Sequence, residues 1–157
     1  MNRLAPLLDC AGLWQGTNTL HNPMTGSPED SPSTATITPV LSDKFIRFDY
    51  TWRYEGNPQE GSMVIGHEMD ENVITAYWID SWHMADKGML CRGEASTTEA
   101  TSNELSVRGS YGAGEGPDWG WRIVLAPNGD EALRLIMYNI DPDGQEHLAV
   151  EAQYTRA

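Results

Sequence analysis

The chain has 157 residues and a formal net charge of −13 at pH 7, from 23 acidic and 10 basic side chains. This charge repels phosphate backbones and anionic lipid surfaces, so it argues against nucleic-acid and membrane-surface partners. Apolar residues make up 39% of the chain. No apolar run approaches the ~20 residues that a membrane-spanning helix needs. We therefore expect one globular domain over residues 1–157, large enough to bury a single hydrophobic core.

The N-terminal segment Met1–Leu8 predicts a short helix rather than a signal peptide. Its apolar stretch is short, is interrupted by Pro6 and lacks a small-residue cleavage site. Helical periodicity is confined to Arg3–Cys10, where a proline near the start is tolerated. Without an export signal, Cys10 and Cys91 are expected to be free thiols in a reducing cytoplasm.

The rest of the sequence consists of short segments in which apolar and polar residues alternate, separated by turn residues. The predicted strands are Leu13–Leu20, Thr34–Leu41, Lys44–Tyr54, Glu60–Glu68, Asn72–Asp80, Met89–Ser96, Glu104–Tyr111, Trp119–Ala126, Leu133–Ile140 and Glu146–Arg156. About ten evenly spaced strands predict an all-β, closed antiparallel up-and-down barrel, because closure removes exposed strand edges. A barrel of this strand number is expected to keep an internal cavity.

The connecting segments are rich in glycine, proline and acidic residues. Asn22–Ser33 is the longest, and we expect it to be a loop that acts as a lid at the open end. Pro127–Asp130 and Asp141–Gly144 predict tight turns. Gly112–Asp118 is expected to be a hairpin loop, because it lacks the lysine and the following helix of a phosphate-binding loop.

The first strand carries Gly12-Leu13-Trp14, which resembles the Gly-x-Trp opening of the calycins, the lipocalin and fatty-acid-binding superfamily. Calycins place a basic residue on the last strand to cover this tryptophan and close the barrel's end, and Arg156 stands there. With Gly66–Asp70, Tyr77–Ser81 and Tyr154–Arg156, the chain is similar to an uncharacterised bacterial family of lipocalin-like barrels, classed as a domain of unknown function. The resemblance implies a cup-shaped barrel with an interior site over roughly Leu8 to Arg156, and no activity.

Aromatic side chains on the predicted inner face suggest a binding site. In a barrel the inward face is also the cavity wall, and tyrosine and tryptophan combine a flat apolar body with one polar atom. The residues expected to bind a ligand are Tyr50, Trp52, Trp78, Asp80, Trp82, His83, Trp121 and Met137. We expect a small hydrophobic or amphipathic molecule, bound for carriage, storage or sensing. Its polar end would meet Asp80, Trp82 and His83, and its apolar body would lie deeper.

An alternative function is catalysis by Asp80 and His83, in an isomerase or hydrolase. A carboxylate three residues before a histidine can hold one imidazole nitrogen across a turn, which is the usual arrangement of a general base. Ser81 lies between them but lacks a Gly-x-Ser-x-Gly context. The competing interpretation is that Asp80 caps the turn and leaves His83 partly exposed at the rim.

The four histidines, His21, His67, His83 and His147, do not have the spacing of metal ligands, so no metal site is expected. Haem held by one axial histidine is a weaker alternative, because the nitrobindins, another ten-stranded barrel family, bind haem in this way and His147 lies in the last strand. Alternation, however, puts His147 on the face opposite Leu148, Val150 and Tyr154, and this apolar set suits the inner face better.

Three arginines lie inside predicted strands. Arg108, Arg122 and Arg134 could hold a ligand carboxylate inside the barrel, as arginines do in fatty-acid-binding proteins. The other interpretation is that they face outward and pair with acidic side chains on neighbouring strands, which we favour because 23 acidic residues are present.

The expected partner is a small molecule rather than a nucleic acid or a membrane, and the oligomeric state is left open.

Overall fold

The computed structural model describes residues 2–93 and 103–157. Within them, ten antiparallel strands form one closed barrel in which each strand pairs with its neighbours in the chain and the first pairs with the last. This confirms the predicted all-β up-and-down barrel. The elements are α1 (Ala5–Leu8), β1 (Gly12–His21), β2 (Pro28–Val40), β3 (Phe45–Tyr54), β4 (Asn57–Glu68), β5 (Val73–Asp80), β6 (Met89–Arg92), β7 (Leu105–Tyr111), β8 (Trp119–Asn128), β9 (Ala132–Ile140) and β10 (Glu146–Arg156).

Alternate residues along the strands fill the interior. Phe48, Met63 and Trp78 are register partners across β3, β4 and β5, and all three are fully buried. Tyr50 and Trp52 follow on the same face of β3 and are buried as well. Because side chains in a strand point to opposite faces in turn, this register sends the intervening charged residues of β3 to solvent.

One end of the barrel is closed by α1 and by the contact between the two terminal strands. The buried indole of Trp14 donates its Nε1–H to the Cys10 carbonyl oxygen at 2.9 Å. The Arg156 guanidinium lies 4.5 Å from the Trp14 ring centre and donates to the carbonyl oxygens of Asp9, Ala11 and Asp130 at 2.7–3.0 Å. The Arg156 side chain on β10 therefore connects the N-terminal segment, the β8–β9 turn and Trp14.

The loop predicted over Asn22–Ser33 is wrong in its length, because β2 begins at Pro28 and only residues 22–27 connect the strands. β2 pairs with β3 only from Ala35 onward. The backbone N–H of Thr34 points toward β3, where it meets Thr51 Oγ1 at 3.0 Å. Pro32 lies two residues before Thr34, so its backbone nitrogen also faces β3. Because no β2–β3 backbone pairing is present at this point, the proline's lack of an N–H leaves no hydrogen bond unmade.

Side chains take over where the β2–β3 ladder is missing. Ser33 Oγ donates to the Thr51 carbonyl oxygen at 2.6 Å, and the Arg53 backbone N–H donates to Ser31 Oγ at 3.1 Å. Tyr154 on β10 donates to Ser33 Oγ, because the only hydroxyl proton of the serine is already used. The seam beside the barrel's open end is thus closed by serine hydroxyl groups in place of backbone pairs.

The remaining differences concern element ends. α1 covers only part of the predicted Arg3–Cys10 segment, and β6 ends at Arg92, whereas residues 94–96 of the predicted Met89–Ser96 strand lie outside the described residues. No helix among the described residues is long and apolar enough to cross a membrane. Cys10 and Cys91 are both buried, and neither forms a disulfide.

Replacing Arg156 with lysine should lower the free energy of unfolding by about 1–3 kcal/mol, because an ammonium cannot donate to three carbonyl oxygens while lying flat on an indole. The control is Arg134→Lys, which changes an exposed arginine whose ion pair with Glu151 measures 3.5 Å. The Arg134→Lys change should alter the free energy of unfolding by no more than about 0.5 kcal/mol. Urea unfolding of both variants measures the difference, and equal losses would contradict the role of Arg156.

Candidate ligand-binding site at the barrel mouth

The end of the barrel opposite Trp14 holds a cavity of about 190 Å³, here called the mouth cavity. Its walls come from β1, the 22–27 turn, the β5–β6 loop and strands β8, β9 and β10. The lining residues are Leu20, His21, Asn22, Pro23, Trp82, His83, Trp121, Asn139, His147, Leu148 and Ala149. The shortened β1–β2 connection therefore does lie at the open end, where the sequence placed it.

Three larger depressions, of about 520, 530 and 550 Å³, are open grooves on the outer wall of the barrel. They are lined mainly by outward-facing polar side chains, such as Thr36, Glu60 and Arg134. A ligand site is usually concave and largely apolar with a few polar groups. The mouth cavity fits that description and the outer grooves do not.

The turn that forms one wall of the cavity is held by Asp80, the last residue of β5. Its carboxylate is buried, with 2% of the residue exposed, and Oδ1 accepts the backbone N–H groups of Trp82 and His83, both at 2.8 Å. Oδ2 accepts the hydroxyl of Tyr50 at 2.7 Å and the indole N–H of Trp52 at 3.4 Å. All four partners are donors, which suits a carboxylate that carries no proton.

Gly61 makes the contact between Tyr50 and Asp80 possible. The three residues are register partners across β3, β4 and β5, and the Tyr50 ring lies across the middle strand. A Cβ atom at position 61 would be 2.2 Å from the tyrosine hydroxyl oxygen. Trp78 Nε1 donates to that oxygen at 2.9 Å. Burial, reinforced by the charge of Asp80, raises the pKa of Tyr50 well above its ordinary value, so its hydroxyl stays protonated and donates.

His83 is enclosed by four tryptophans, Trp52, Trp78, Trp82 and Trp121, here called the tryptophan box. Its ring centre is 4.8–6.0 Å from each of theirs. Trp78 and Trp121 stack on each other at 5.3 Å, almost parallel. Burial lowers the pKa of His83 from its ordinary value of 6.5, against the opposing charge of Asp80, so the ring is neutral at pH 7.

The structure does not form the hydrogen bond that the general-base hypothesis needs. Asp80 accepts the backbone N–H of His83 and not an imidazole nitrogen, so it caps the turn. Ser81 points away from the cavity, where its hydroxyl donates to Gln59 Oε1 at 2.7 Å and accepts the Glu60 backbone N–H at 3.0 Å. Asp80, Ser81 and His83 are therefore close in sequence but do not form one catalytic group: Asp80 caps the turn, Ser81 faces away from the cavity, and His83 lines it.

The residues predicted to bind a ligand divide into two layers. Trp82, His83 and Trp121 line the mouth cavity. The others do not line it and are buried: Tyr50, Trp52, Trp78, Asp80 and Met137. Of these, Tyr50 and Asp80 border the outer groove of about 520 Å³. Alternation identified which side chains point inward but carries no information about how far the interior is filled below the mouth.

Several cavity residues were missed or misplaced by sequence reasoning. A β-bulge between Leu148 and Val150 breaks the alternation of β10, so the prediction that Leu148 faces the interior is wrong. Leu148 is 37% exposed, and both it and His147 border the cavity. Asn139 follows Met137 on the inward face of β9 and was recoverable from alternation, whereas no local signal marks the bulge.

The arginines face outward, as the favoured interpretation had it. Arg122 pairs with Glu146 and lies 4.4 Å over the Tyr138 ring, and Arg134 pairs with Glu151. Arg108 is exposed. Neither lysine nor arginine is among the described residues that line the mouth cavity. The described part of the chain also contains no group of three or more His, Cys, Asp or Glu side chains that could hold a metal ion.

A Gly61→Ala change should lower the free energy of unfolding by about 1–3 kcal/mol, because the added methyl group overlaps a buried tyrosine ring that has no free space to enter. Gly116→Ala is the matched control, since a Cβ there meets no atom within 4 Å and the backbone is not left-handed. We expect the control to unfold like the wild type in urea. If both variants unfold alike, the close approach of Tyr50 to the β4 backbone is not a constraint on the fold.

Lowering the pH should reduce the free energy of unfolding of the wild type more than that of a His83→Gln variant. Because the native pKa of His83 is lowered, the unfolded chain takes up a proton near pH 6.5 while the folded chain does not. The free energy of unfolding contributed by this residue is therefore lost as pH falls from 6.5 toward the native value. Thermal or urea unfolding across this range measures it, and parallel pH profiles for the two proteins would show that His83 is not held neutral.

Comparison with known proteins places the chain in a family but assigns no activity. No curated protein matches it. Among solved structures, the crystal structure of Rv2717c from M. tuberculosis superposes with a TM-score of 0.65, covering 99% of this chain and 97% of that chain at 12% identity. At that identity the likeness concerns the fold alone. The profile of the family described as "Protein of unknown function (DUF1579)" matches residues 5–156, and the chain therefore belongs to that family.

Proposed function

We propose that the protein is a calycin-type binding barrel of the cytoplasm that holds a small amphipathic molecule in its mouth cavity, for carriage, storage or sensing. The observation that carries this proposal is the indole N–H of Trp121 in the cavity wall, a buried donor for which no described residue supplies an acceptor. Buried polar groups in folded proteins nearly always have a partner, so an unpaired donor in a cavity wall points to a ligand acceptor.

The size of the cavity limits the ligand. Sites for drug-sized molecules usually measure about 300–1,000 Å³. A space of about 190 Å³ suits a smaller molecule, or one end of a longer one that extends past the 22–27 turn. Trp52, Trp78 and Met137, which were expected to contact the apolar body of the ligand, do not line this cavity and are buried packing residues.

The lining combines apolar area with a few polar groups. Leu20, Pro23 and Ala149 offer aliphatic contact, and Trp82 and Trp121 offer indole surface. Removing apolar ligand surface from water here contributes ~25 cal/mol per Å². The ligand that fits is therefore compact, largely apolar, and equipped with at least one hydrogen-bond acceptor for Trp121.

The two alternatives have less support. Catalysis by Asp80 and His83 lacks the carboxylate–imidazole hydrogen bond, and the carboxylate is occupied by four donors. Haem does not fit the residues present. His147 is exposed and its Nε2 is 2.9 Å from Asp141 Oδ2, and the neighbouring cavity is smaller than ordinary ligand sites.

Native mass spectrometry of protein purified from its own host tests the proposal directly, with a co-purifying molecule of low mass as the expected result. Titration with short-chain alcohols, amides and aromatic acids, followed by tryptophan fluorescence, then identifies the best binder. Trp121→Phe should weaken that binder about three- to tenfold, because it removes one hydrogen-bond donor and keeps an aromatic ring.

The matched control is Tyr77→Phe, which removes a hydroxyl from an exposed ring on the outer wall and should not change the affinity. A protein that carries no small molecule and binds none of the panel saturably would contradict the proposed function. Equal affinity in wild type and Trp121→Phe would remove the indole N–H from the site.

A further inference from the structure

We infer that the ligand of the mouth cavity is a small organic cation, an ammonium group on a compact apolar body that also carries one hydrogen-bond acceptor, held against the indoles of Trp82 and Trp121 and attracted by the buried carboxylate of Asp80. This inference rests on the proposed function and adds the charge of the ligand to it. Three independent features of the described residues support it: the aromatic wall, the buried carboxylate without a cationic partner, and the lack of lysine and arginine in the lining.

The aromatic wall is built from the residue type that attracts cations best. The face of an indole carries negative electrostatic potential, and tryptophan is the strongest of the aromatic side chains in cation–π contacts. Trp82 and Trp121 both line the cavity, and their ring centres lie 4.8 and 5.3 Å from that of His83. Groups of aromatic rings of this kind are a general means of binding substituted ammonium ions.

The carboxylate of Asp80 does not line the cavity but is hydrogen-bonded to the backbone of this wall. It accepts the backbone N–H groups of Trp82 and His83, which are two consecutive residues of the lining. Within the described part of the chain, no ion pair involves Asp80, so its hydrogen bonds come from neutral groups alone. A buried charge is screened by salt much less than an exposed one, and its field therefore extends into the cavity.

No fixed positive charge opposes that field. The lining contributes neither lysine nor arginine among the described residues, and Arg108, Arg122 and Arg134 of the neighbouring strands face outward. Arg156 of β10 lies at the opposite, closed end. His83 is held neutral by burial. The other lining histidines are His21 and His147, and His147 Nε2 lies 2.9 Å from the carboxylate of Asp141, which offsets positive charge at the rim. A ligand carboxylate would meet no guanidinium here, whereas an ammonium meets two indoles and a buried negative charge.

Three probes of similar shape separate the effect of charge. Choline and 3,3-dimethylbutan-1-ol are isosteric and differ in the atom that carries the three methyl groups, a cationic nitrogen or a neutral carbon. The anion 3,3-dimethylbutanoate keeps the tert-butyl group and carries a carboxylate in place of the hydroxyl end. Isothermal titration calorimetry and tryptophan fluorescence on the intact wild-type protein measure all three. We expect choline to bind at least tenfold more tightly than the alcohol, and the carboxylate to bind most weakly.

Asp80→Asn removes the charge and keeps one acceptor oxygen, so it should lower the affinity for choline and leave that for the alcohol nearly unchanged. Asp49→Asn is the control, because it removes the same charge from the outer wall, where Asp49 pairs with Arg47. If Asp80→Asn does not fold, the ranking of the three probes on the wild type decides by itself.

Equal binding of choline and the alcohol, or tightest binding of the carboxylate, would overturn the cationic assignment and leave the proposed binding function intact. A neutral or anionic molecule found by native mass spectrometry would also overturn it. If no probe binds and no molecule co-purifies, the failure lies with the proposed function itself. A salt-resistant preference for choline that is lost in Asp80→Asn and retained in Asp49→Asn supports the inference.

Discussion

The buried carboxylate of Asp80 is the constraint on which the mouth of this barrel depends. A charge removed from water is costly unless every one of its oxygen atoms is satisfied, and a partly satisfied buried network destabilises a fold. In this barrel the hydrogen-bond donors to the Asp80 carboxylate come from two parts of the fold. Tyr50 and Trp52 reach it from β3, and the backbone of the β5–β6 turn reaches it from the other side. The carboxylate therefore fixes both the strand register and the turn.

That arrangement explains why a glycine and several polar aromatic residues are placed as they are. Gly61 lets the Tyr50 ring cross β4, and Trp78 donates to the tyrosine hydroxyl that in turn donates to Asp80. Holding the turn at Trp82 and His83 then places these two side chains over the remaining tryptophans. The aromatic layer that fills the mouth thus follows from the hydrogen bonds beneath it, and the cavity is the space this layer leaves.

The two ends of the barrel use the same residue types for different purposes. At the closed end a tryptophan is covered by Arg156, whose donors are consumed by backbone carbonyl oxygens. At the mouth the tryptophans surround a neutral histidine, and one indole N–H has no partner among the described residues. A guanidinium completes the first cluster, whereas the second has aromatic surface, a nearby negative charge and an unused donor. This difference is why the mouth of the barrel, and not its closed end, is the candidate binding site.

The sequence by itself determined the barrel, its ten strands and which side chains of β3, β5, β8 and β9 face inward, because a period of two and turn residues act locally. It also marked Trp14 and Arg156, and the stretch from Asp80 to His83. The tertiary structure alone decided that β2 extends back to Pro28, since only the missing ladder to β3 makes a proline acceptable there. It decided likewise that Asp80 bonds backbone rather than imidazole, that a bulge brings Leu148 to the rim, and that the interior is filled below the tryptophans. Each of these depends on contacts between residues far apart in the chain, which alternation along one strand does not encode.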